Sequence, residues 1–366
     1  MTKEKSVVVA MSGGVDSSVA AALLVEQGYD VTGVMLRLWS EPGKEESNRC
    51  CTPDAMAGAR RVAARLGIPF YALNSQDLFH SVVVQSFMDG YRSGITPNPC
   101  ILCNQKIRWG FMYEAAREMG AEFMATGHYA RVNPRTDGSV ELMRGLDPGK
   151  DQSYVMSVLP QEKLRHTLFP VGGMPKAEVR EHARRFGLTV AERADSQDLC
   201  FLAGQDYREF LSRYVPEVTQ PGKIIRSDGN PVGEHQGLAF YTIGQRKGLG
   251  IAAPHPLYVL EKNLATNELV VGDESSLGRN GLTAGGMNWI SGAAPAESFD
   301  AEVKIRYRAA LAPAVVTPQG DGQVVIHFKN SMRDITVGQR VVIYNDEVVL
   351  GGGTIQSSFN TIGEPE

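Results

Sequence analysis

Short apolar runs alternate with amphipathic stretches through the first half of the chain. Residues 6–11 form an apolar run typical of a buried parallel strand, and residues 16–27 predict a helix that ends at Gly28. The same reasoning predicts strands at 29–38, 70–74 and 122–130, and helices at 54–66, 76–91, 106–119, 175–186 and 207–214. Strands that alternate with helices predict an α/β fold built on a doubly wound parallel sheet.

The pattern changes after about residue 216. Turn pairs such as Pro221-Gly222 and Asp321-Gly322 become frequent, and short alternating runs appear at 323–328 and 340–344. This texture is typical of all-β structure. We therefore predict an α/β domain over residues 1–205, a small β-rich middle domain over 206–282 and a C-terminal β-barrel over 283–366.

Composition limits the class of protein. The chain has 366 residues, of which 43% are hydrophobic and 21% charged, as in a globular protein of two or three domains. It contains no apolar run of the ~20 residues that a membrane span needs, and no signal-peptide core. We therefore expect a cytoplasmic protein without a membrane partner. Five cysteines, an odd number, argue against a disulfide scaffold and favour reactive or metal-binding thiols.

The net charge of −4 does not indicate a nucleic-acid-binding protein. If RNA binds, a local basic patch must contact it. Two sets of residues are candidates, one on a predicted helix and one in a predicted strand: Arg180, Arg184 and Arg185, and Lys304, Arg306 and Arg308. Solvated charged faces are the alternative interpretation.

A glycine turn lies between the first predicted strand and the first predicted helix. It consists of Ala10, Met11, Ser12, Gly13, Gly14, Val15, Asp16 and Ser17. Backbone N–H groups at such a turn converge where the helix dipole favours an anion. No lysine follows the glycines, so this is not a Walker A loop, and the dinucleotide pattern is absent. The string resembles the Ser-Gly-Gly-x-Asp-Ser signature of PP-loop ATP pyrophosphatases, which implies ATP binding, with Asp16 as a helix cap or a Mg²⁺ ligand.

The cysteines allow four interpretations. Cys100 and Cys103 form a Cys-x-x-Cys after two prolines, which predict a rigid loop with Cys103 near the start of the next helix; Cys200 is distant, and Cys50 and Cys51 are adjacent. The thiols could be incidental, a thioredoxin-like redox pair, ligands of structural zinc, or carriers in sulfur transfer. The prolines disfavour the redox pair, and the spacing at Cys50 disfavours zinc.

Several strings in order resemble the MnmA-type tRNA-specific 2-thiouridylases along nearly the whole chain. They include Ser12–Ser17, residues 96–99 with 102–104, 125–129, 149–154, 196–201, 241–250, 306–308 and 350–353. The resemblance implies a PP-loop nucleotide-binding domain that holds ATP on Ala10 to Ser17, with Met35 and Gly127 lining the nucleotide pocket. It also implies that Cys103 is the nucleophile, that Cys200 carries the persulfide, and that the two form a transient disulfide.

The resemblance also implies partners. Asn98, Pro99 and Cys100 would meet the target base, and the positions expected to touch tRNA are His128, Lys150, Asp151, Gln152, Arg306, Tyr307 and Gln339. The tRNA would be one of the Lys, Glu or Gln acceptors, modified at its wobble uridine, and a cysteine desulfurase or relay protein would donate the sulfur. His128 alone could equally be a satisfied loop histidine.

Cys100 departs from the family pattern, in which many relatives carry aspartate. With Cys103 and Cys200 it could offer three thiolates to a [4Fe-4S] cluster that delivers sulfide, the alternative to the persulfide route. Two other functions compete: a PP-loop synthetase that forms an amide or guanidine, and a non-enzymatic sulfur or iron–sulfur carrier. The sequence leaves open the tRNA set, the sulfur donor, the oligomeric state and any role of Cys50 and Cys51.

Overall fold

A computed structural model describes residues 5–44, 52–193 and 199–360. The described residues therefore do not include Cys50, Cys51 or the family-like string at 196–198. In the described part the strands are β1 (Ser6–Ala10), β2 (Asp30–Arg37), β3 (Phe70–Asn74), β4 (Phe123–Thr126), β5 (Ala130–Pro134), β6 (Val140–Arg144), β7 (Thr167–Leu168), β8 (Gly222–Arg226), β9 (Pro231–His235), β10 (Tyr258–Asn263), β11 (Glu268–Gly272), β12 (Arg279–Trp289), β13 (Phe299–Lys304), β14 (Ala312–Pro318), β15 (Val324–Met332), β16 (Arg340–Asn345) and β17 (Val348–Phe359).

The helices follow the same order. They are α1 (Val15–Glu26), α2 (Pro53–Leu66), a helix over residues 76–92 (Gln76–Phe79, His80–Val84 and Gln85–Arg92), a helix over 99–118 (Pro99–Leu102, Cys103–Met112 and Tyr113–Glu118), and shorter helices at Ser153–Met156, Gln161–Leu164, Lys176–Arg185 and Tyr207–Tyr214. Single 3₁₀ turns lie at Cys200–Leu202, Pro216–Thr219, Leu238–Phe240, Glu274–Ser276 and Gly320–Gly322. Both long helices contain a wider π-helical stretch, a feature often found at functional sites.

The N-terminal half contains a five-stranded sheet in the order β3-β2-β1-β4-β7, in which every described pairing is parallel. β1 is central and its Val7, Val8 and Val9 are buried, as a strand covered on both faces requires. Helices α1 and α2 pack on one face through small residues such as Ala20 and Ala59. The predicted doubly wound parallel sheet is confirmed.

The helix over residues 99–118, termed the cysteine helix below, begins earlier than predicted. Pro99 occupies its first turn, where the missing N–H costs nothing, and the Asn98 side chain caps it by accepting a hydrogen bond from Ile101 N at 3.4 Å. Cys100 and Cys103 are therefore helical residues. The prediction that the prolines place this pair in a loop was wrong, because proline is excluded from helix interiors but not from the first turn.

The predicted strand over 122–130 is two strands. β4 ends at Thr126, and β5 then pairs with β6 as an antiparallel hairpin that leaves the parallel sheet. The hairpin joins the C-terminal sheet, where Val348 pairs with Met143 and Val349 with Leu142. A turn at Gly127 therefore lies between two sheets.

The second half is all-β, as predicted. β10, β11, β8 and β9 form a four-stranded middle sheet. β12, β15, β14, β13, β16 and β17 close into a six-stranded barrel through the pairing of β12 with β17. β12 begins at Arg279, four residues before the predicted start of the barrel at residue 283. Ile326, Val341 and Ile343 are among the fully buried residues of its core.

Buried contacts fix the barrel against the N-terminal half. The guanidinium of Arg340 is buried and donates to Ser157 Oγ at 2.7 Å and to the carbonyls of Ser157 and Gly352 at 3.0 and 2.9 Å. Gln339 Nε2 donates to Thr96 O at 2.8 Å, and the backbone at Gly338 packs against Ile95. The loop that enters the cysteine helix is thus held by the barrel. No helix in the described ranges has the length and apolar character to cross a membrane.

Candidate active site

A cavity of about 1200 Å³ opens at the carboxyl ends of β1 and β4. β1 lies between β2 and β4, so the strand order reverses here, at the position where open α/β sheets bind ligands. The segment after β13, including Lys304, Tyr307 and Arg308, lines the cavity from the barrel. The cavity therefore lies between the parallel sheet and the C-terminal domain.

The glycine turn forms one end of the cavity. Ser12 Oγ and Ser17 Oγ lie 3.2 Å apart, Ser12 N donates to Ser17 Oγ at 3.1 Å, and Ser18 Oγ donates to Gly14 O at 2.8 Å. These bonds hold the turn closed on itself. Gly14 is the N-cap of α1 without a side-chain cap, so no side chain covers the first N–H groups of this twelve-residue helix. An anion is well placed to accept from them.

Two glycines permit the tight approach of backbones here. Gly13 has φ +73°, and a Cβ on it would collide with Ala55 O. A Cβ on Gly127 would lie 2.5 Å from Ser17 N and 2.6 Å from Asp16 C. The turn after β4 therefore rests directly on the first turn of α1, and only glycine fits at residue 127.

Asp16 is held by two donors inside the cavity. Its Oδ1 accepts from Tyr129 Oη at 2.8 Å and from Lys176 Nζ at 2.5 Å. Asp147 ties the same region together, accepting from Lys176 N at 3.0 Å and from Gly149 N at 2.9 Å. These contacts hold a carboxylate and an ammonium beside the glycine turn.

The cavity carries a strong positive charge although the chain is acidic overall. In the part of the chain that the structure describes, seven cationic side chains line it against two aspartates: Arg108, Arg144, Lys150, Lys176, Arg193, Lys304 and Arg308. Such a lining attracts phosphates. The candidate arginines on the helix Lys176–Arg185 have internal partners, in keeping with the alternative of a solvated charged face: Arg184 pairs with Glu192 at 2.9 Å, Arg185 with Glu26 at 2.7 Å, and Arg180 donates to backbone carbonyls.

The thiols converge on one apolar cluster. Cys103 is buried in the cluster that includes Phe87, Phe201 and Phe210, and Cys200 packs against the same cluster from its 3₁₀ turn. Cys100 is exposed. Cys100 and Cys103 line the cavity, as does Leu199, the neighbour of Cys200. Residues 97 positions apart in sequence are thus brought to the same place beside the cavity.

The iron–sulfur alternative receives no support from this arrangement. Within residues 5–44, 52–193 and 199–360, no group of three or more histidine, cysteine, aspartate or glutamate side chains is placed to hold a metal ion. Cys100, Cys103 and Cys200 therefore do not form a ready ligand set.

His128 is a buried residue of the cavity lining and orients Arg108. Arg108 Nη1 lies 2.9 Å from His128 Nε2 and donates to Asn104 Oδ1 at 3.0 Å. Arginine can only donate, so Nε2 is the acceptor and the protonated Nδ1 donates to Thr126 Oγ1 at 2.7 Å. Burial, reinforced by the Arg108 cation, lowers the pKa of His128 well below its ordinary value. This neutral histidine positions an arginine and is not itself a proton donor to substrate.

The neutral state of His128 predicts a pH effect on stability. As pH falls below about 6.5, the unfolded chain takes up a proton at residue 128 and the folded chain does not, so the folded state loses free energy. Glutamine keeps an acceptor but cannot titrate. We expect His128→Gln to flatten the fall in unfolding free energy below pH 6.5, by up to about 1.4 kcal/mol per pH unit. Urea unfolding of both proteins from pH 5 to 8 measures this, and parallel curves would contradict it.

The structure brings most of the predicted site residues together. The residues that line the cavity are Ala10, Met11, Ser12, Gly14, Val15, Asp16, Ser17, Met35, Asn98, Cys100, Cys103, Gly127, His128, Lys150, Asp151, Gln152 and Tyr307. Gly13, Pro99, Cys200, Arg306 and Gln339 do not. Gly13 shapes the turn, and its carbonyl accepts from Arg193 Nη1 at 3.0 Å.

Several of the expected tRNA contacts have partners within the protein, among them Arg306, Gln339 and Asp151. Arg306 pairs with Asp334 at 2.9 Å and donates to Thr336 Oγ1 and Ile243 O, which ties the barrel to the middle domain. Gln339 holds Thr96. Asp151 is buried and accepts from the backbones of Gly145 and Ser153 at 2.9 and 3.0 Å. These contacts indicate a structural contribution.

Sequence reasoning missed four residues of the site. Tyr129 and Lys176 hold Asp16, Arg193 holds the glycine turn, and Arg108 faces the cavity beside Cys103. Lys176 carried a usable signal, because a lysine at a helix start opposes the helix dipole and so indicates another use for its charge. Arg108 follows Cys103 by five residues on one helix, but nothing local indicates its direction.

Known proteins resemble this chain throughout its length. Family models match in succession: the tRNA methyl transferase HUP domain over residues 5–204, the tRNA methyl transferase PRC-barrel domain over 208–273 and the aminomethyltransferase beta-barrel domain over 279–355. The tRNA-specific 2-thiouridylase MnmA of Geotalea uraniireducens (strain Rf4) is 45% identical over 365 residues, covering 98% of this chain and 97% of the relative. That of Heliobacterium modesticaldum (strain ATCC 51547 / Ice1) is 46% identical over 356 residues, covering 96% and 92%.

The chain belongs to the MnmA family of tRNA-specific 2-thiouridylases. The resemblance stated from the sequence motifs is thereby confirmed. Among solved structures, a 4-thiouridine synthetase–RNA complex with bound ATP is similar at 18% identity and a TM-score of 0.34, covering 58% of this chain and 51% of that one. Membership of the MnmA family accounts for the order of parallel-sheet domain, middle domain and barrel.

Proposed function

We propose that this chain is a tRNA-uridine 2-sulfurtransferase. It adenylates the 2-carbonyl oxygen of the wobble uridine with ATP and replaces that oxygen with persulfide-derived sulfur, giving 2-thiouridine, AMP and pyrophosphate. One observation carries the proposal beyond family membership: the glycine turn at Ser12–Ser17 and Cys103 line the same cavity. A phosphate-binding turn and a thiol beside one space are what adenylation followed by sulfur transfer requires.

Activation precedes sulfur transfer because the uracil 2-oxygen is a poor leaving group. Transfer of AMP to that oxygen makes it part of a phosphate that departs readily. The N–H groups at the start of α1 and the hydroxyls of Ser12 and Ser17 are placed to hold the ATP phosphates, and Lys176 and Arg193 add positive charge at the same end of the cavity. Stabilising the charge that develops on the departing pyrophosphate is the main contribution of such groups.

The residues present also fit Mg²⁺. Asp16 offers a carboxylate in the cavity beside the turn, and magnesium at nucleotide sites commonly binds one or two carboxylates together with substrate phosphates. Magnesium held by Asp16 would supply charge neutralisation on the phosphates. Tyr129 and Lys176, both bonded to Oδ1, fix the orientation of that carboxylate.

Sulfur transfer follows from the convergence of Cys103 and Cys200. The terminal sulfur of a Cys200 persulfide attacks C2 of the adenylated uridine, and AMP leaves with the C2–O electron pair. The Cys103 thiolate then attacks Cys200 Sγ, so that the bond to the transferred sulfur breaks and its electrons stay with the new thiocarbonyl. Cys103 and Cys200 are left as a disulfide, which two electrons and two protons reduce.

The barrel side of the cavity supplies the contacts for RNA. Tyr307 is exposed at 38% and Lys304 Nζ lies 5.9 Å from its ring centroid, so an aromatic face and cations meet at the rim. Splayed RNA bases commonly stack on aromatic side chains, and an enzyme that modifies a base must extract it from its stack. Asn98 and Cys100 line the cavity where such a base would enter. The same wall of the cavity includes Lys150 and Gln152, and also Arg108, which His128 orients.

The finer assignments belong to the same proposal. We infer the Lys, Glu and Gln tRNAs as substrates, a cysteine desulfurase or relay protein as sulfur donor, and a cytoplasmic location where thiols stay reduced. We also retain the division into units at residues 1–205, 206–282 and 283–366, with the barrel strand β12 crossing the last boundary. A PP-loop synthetase that forms an amide would need neither Cys103 nor Cys200.

The decisive test is product analysis. Purified enzyme, its Cys200 loaded with persulfide, is incubated with ATP, Mg²⁺ and unmodified tRNA, and nucleosides are analysed by mass spectrometry. We expect 2-thiouridine, AMP and pyrophosphate in equal amounts, all dependent on tRNA. Anaerobic purification with iron and sulfide analysis runs in parallel. Product without bound iron supports the persulfide route, whereas activity only in iron-loaded enzyme overturns it.

A further inference from the structure

Cys100 has an exposure and a position that base contact alone does not require. It lies in the first turn of the cysteine helix, three residues before Cys103, so both side chains lie on one helical face. Cα atoms three residues apart in a helix are about 5 Å apart, within the range that a disulfide spans. Cys100 is exposed and Cys103 is 8% exposed. The pair therefore joins the protein surface to a buried thiol.

Reduction of a Cys103–Cys200 disulfide presents a problem of access. Cys103 is buried among aromatic side chains, including Phe87 and Phe201, and Cys200 packs against the same cluster. Thiol–disulfide exchange requires a thiolate to approach a sulfur in line, and the burial of Cys103 and partial burial of Cys200 restrict that approach from solvent. A third thiol that reaches both solvent and Cys103 removes this obstacle.

We propose that Cys100 is a resolving cysteine that transfers the Cys103–Cys200 disulfide to the surface. The Cys100 thiolate attacks Cys103 Sγ, a Cys100–Cys103 bond forms, the Cys103–Cys200 bond breaks, and its electron pair leaves on Cys200 as a thiolate. This exchange involves no net oxidation. An external dithiol then reduces the Cys100–Cys103 disulfide with two electrons and two protons. Cys200 is free to accept new sulfur before that reduction occurs.

The surroundings of Cys100 favour this chemistry. The attacking species is the thiolate, which helix N-termini and nearby cations favour. Cys100 is the second residue of the cysteine helix, and Lys304 and Arg308 line the same cavity. The barrel also fixes the approach to Cys100, because Gln339 holds Thr96 four residues earlier.

The inference rests on the proposed function for the origin of the Cys103–Cys200 disulfide, but the exchange can be tested without turnover. The full chain and Cys100→Ser are oxidised with diamide in the absence of ATP and tRNA, free thiols are blocked with N-ethylmaleimide, and disulfide-linked peptides are mapped. We expect a Cys100–Cys103 disulfide with Cys200 alkylated in the parent chain, and a Cys103–Cys200 disulfide in Cys100→Ser. Cys200→Ser, which retains the pair, should still form Cys100–Cys103.

The rate of reduction provides the second readout. We expect dithiothreitol to restore Cys200 thiol at least about tenfold more slowly in oxidised Cys100→Ser than in the oxidised parent chain, because the direct route requires attack on a disulfide whose Cys103 sulfur is buried and whose Cys200 is only partly exposed. A parent chain that accumulates Cys103–Cys200 with Cys100 alkylated, or equal rates of reduction, overturns the inference. Mapping after a single turnover separates the two proposals: absent 2-thiouridine removes the sulfurtransferase, whereas present 2-thiouridine with Cys100 alkylated removes only the relay.

Discussion

Replacing either Cys103 or Cys200 by serine is expected to abolish 2-thiouridine formation, with a loss of at least about a thousandfold in each case. A hydroxyl can neither carry a sulfane sulfur nor cleave a persulfide. The glycine turn lies at the other end of the cavity and is unchanged, so ATP binding should persist in both variants. The two thiols act in one sequence of steps, and the double variant should therefore be no more impaired than either single variant. Nucleoside mass spectrometry measures the product, and equilibrium dialysis with labelled ATP measures binding.

The matched control is Cys50→Ser, which makes the same chemical change at a cysteine to which no role is assigned. It should retain thiolation. If Cys103→Ser or Cys200→Ser still formed 2-thiouridine at a rate near that of the parent chain, the persulfide sequence would be wrong. An amide-forming synthetase would be unaffected by both changes. Amide formation by both variants with an amine acceptor would therefore identify that alternative.

The parts of the fold that the sequence predicted are those determined by neighbouring residues. The glycine turn is one example: Gly13 and Gly14, the flanking apolar strand and the helix that follows all lie within residues 6–27. Helix ends marked by a left-handed glycine were also predicted well, as at Gly67, which has φ +69° at the end of α2. Local turn chemistry and hydrophobic periodicity are sufficient in such segments.

Features determined by distant residues were not predictable. The β5–β6 hairpin was not predicted beyond its first residue, Ala130, and its pairing with β17, some 200 residues later, places it in a separate sheet. Likewise, Arg306 could be read as a free cation because Asp334 and Ile243 are distant in sequence. Tertiary pairing decides whether a charged side chain is used for binding or for structure.

The neutral state of His128 is a feature of the site that likewise could not be predicted from the sequence. Its motif indicated a functional histidine but could not show that Arg108, on another element, would donate to it and that burial would lower its pKa. The contact with Arg108 adds a role that the motif did not indicate, the orientation of a cation beside the cavity. The sequence gives the residue type, and the packing determines its protonation.

Replacing Gly127 by alanine is expected to weaken ATP binding strongly. The added Cβ would lie 2.5 Å from Ser17 N and 2.6 Å from Asp16 C, and both atoms belong to the backbone of the first turn of α1. The helix start must move, which misdirects the N–H groups that hold phosphate. A displacement of about 1 Å at such groups can cost about a hundredfold in rate, and overpacking should reduce the unfolding free energy by about 1–3 kcal/mol.

Gly173→Ala is the matched control, because a Cβ there meets no heavy atom within 4 Å and its backbone does not lie in the left-handed region. It should leave ATP affinity and stability unchanged. Calorimetric titration with ATP and urea unfolding on both variants separate a local effect from a global one. A Gly127→Ala protein that unfolds at the control's urea concentration and binds ATP with the control's affinity would show that α1 and the turn after β4 need not touch. The phosphate site would then be more adaptable than this close backbone contact implies.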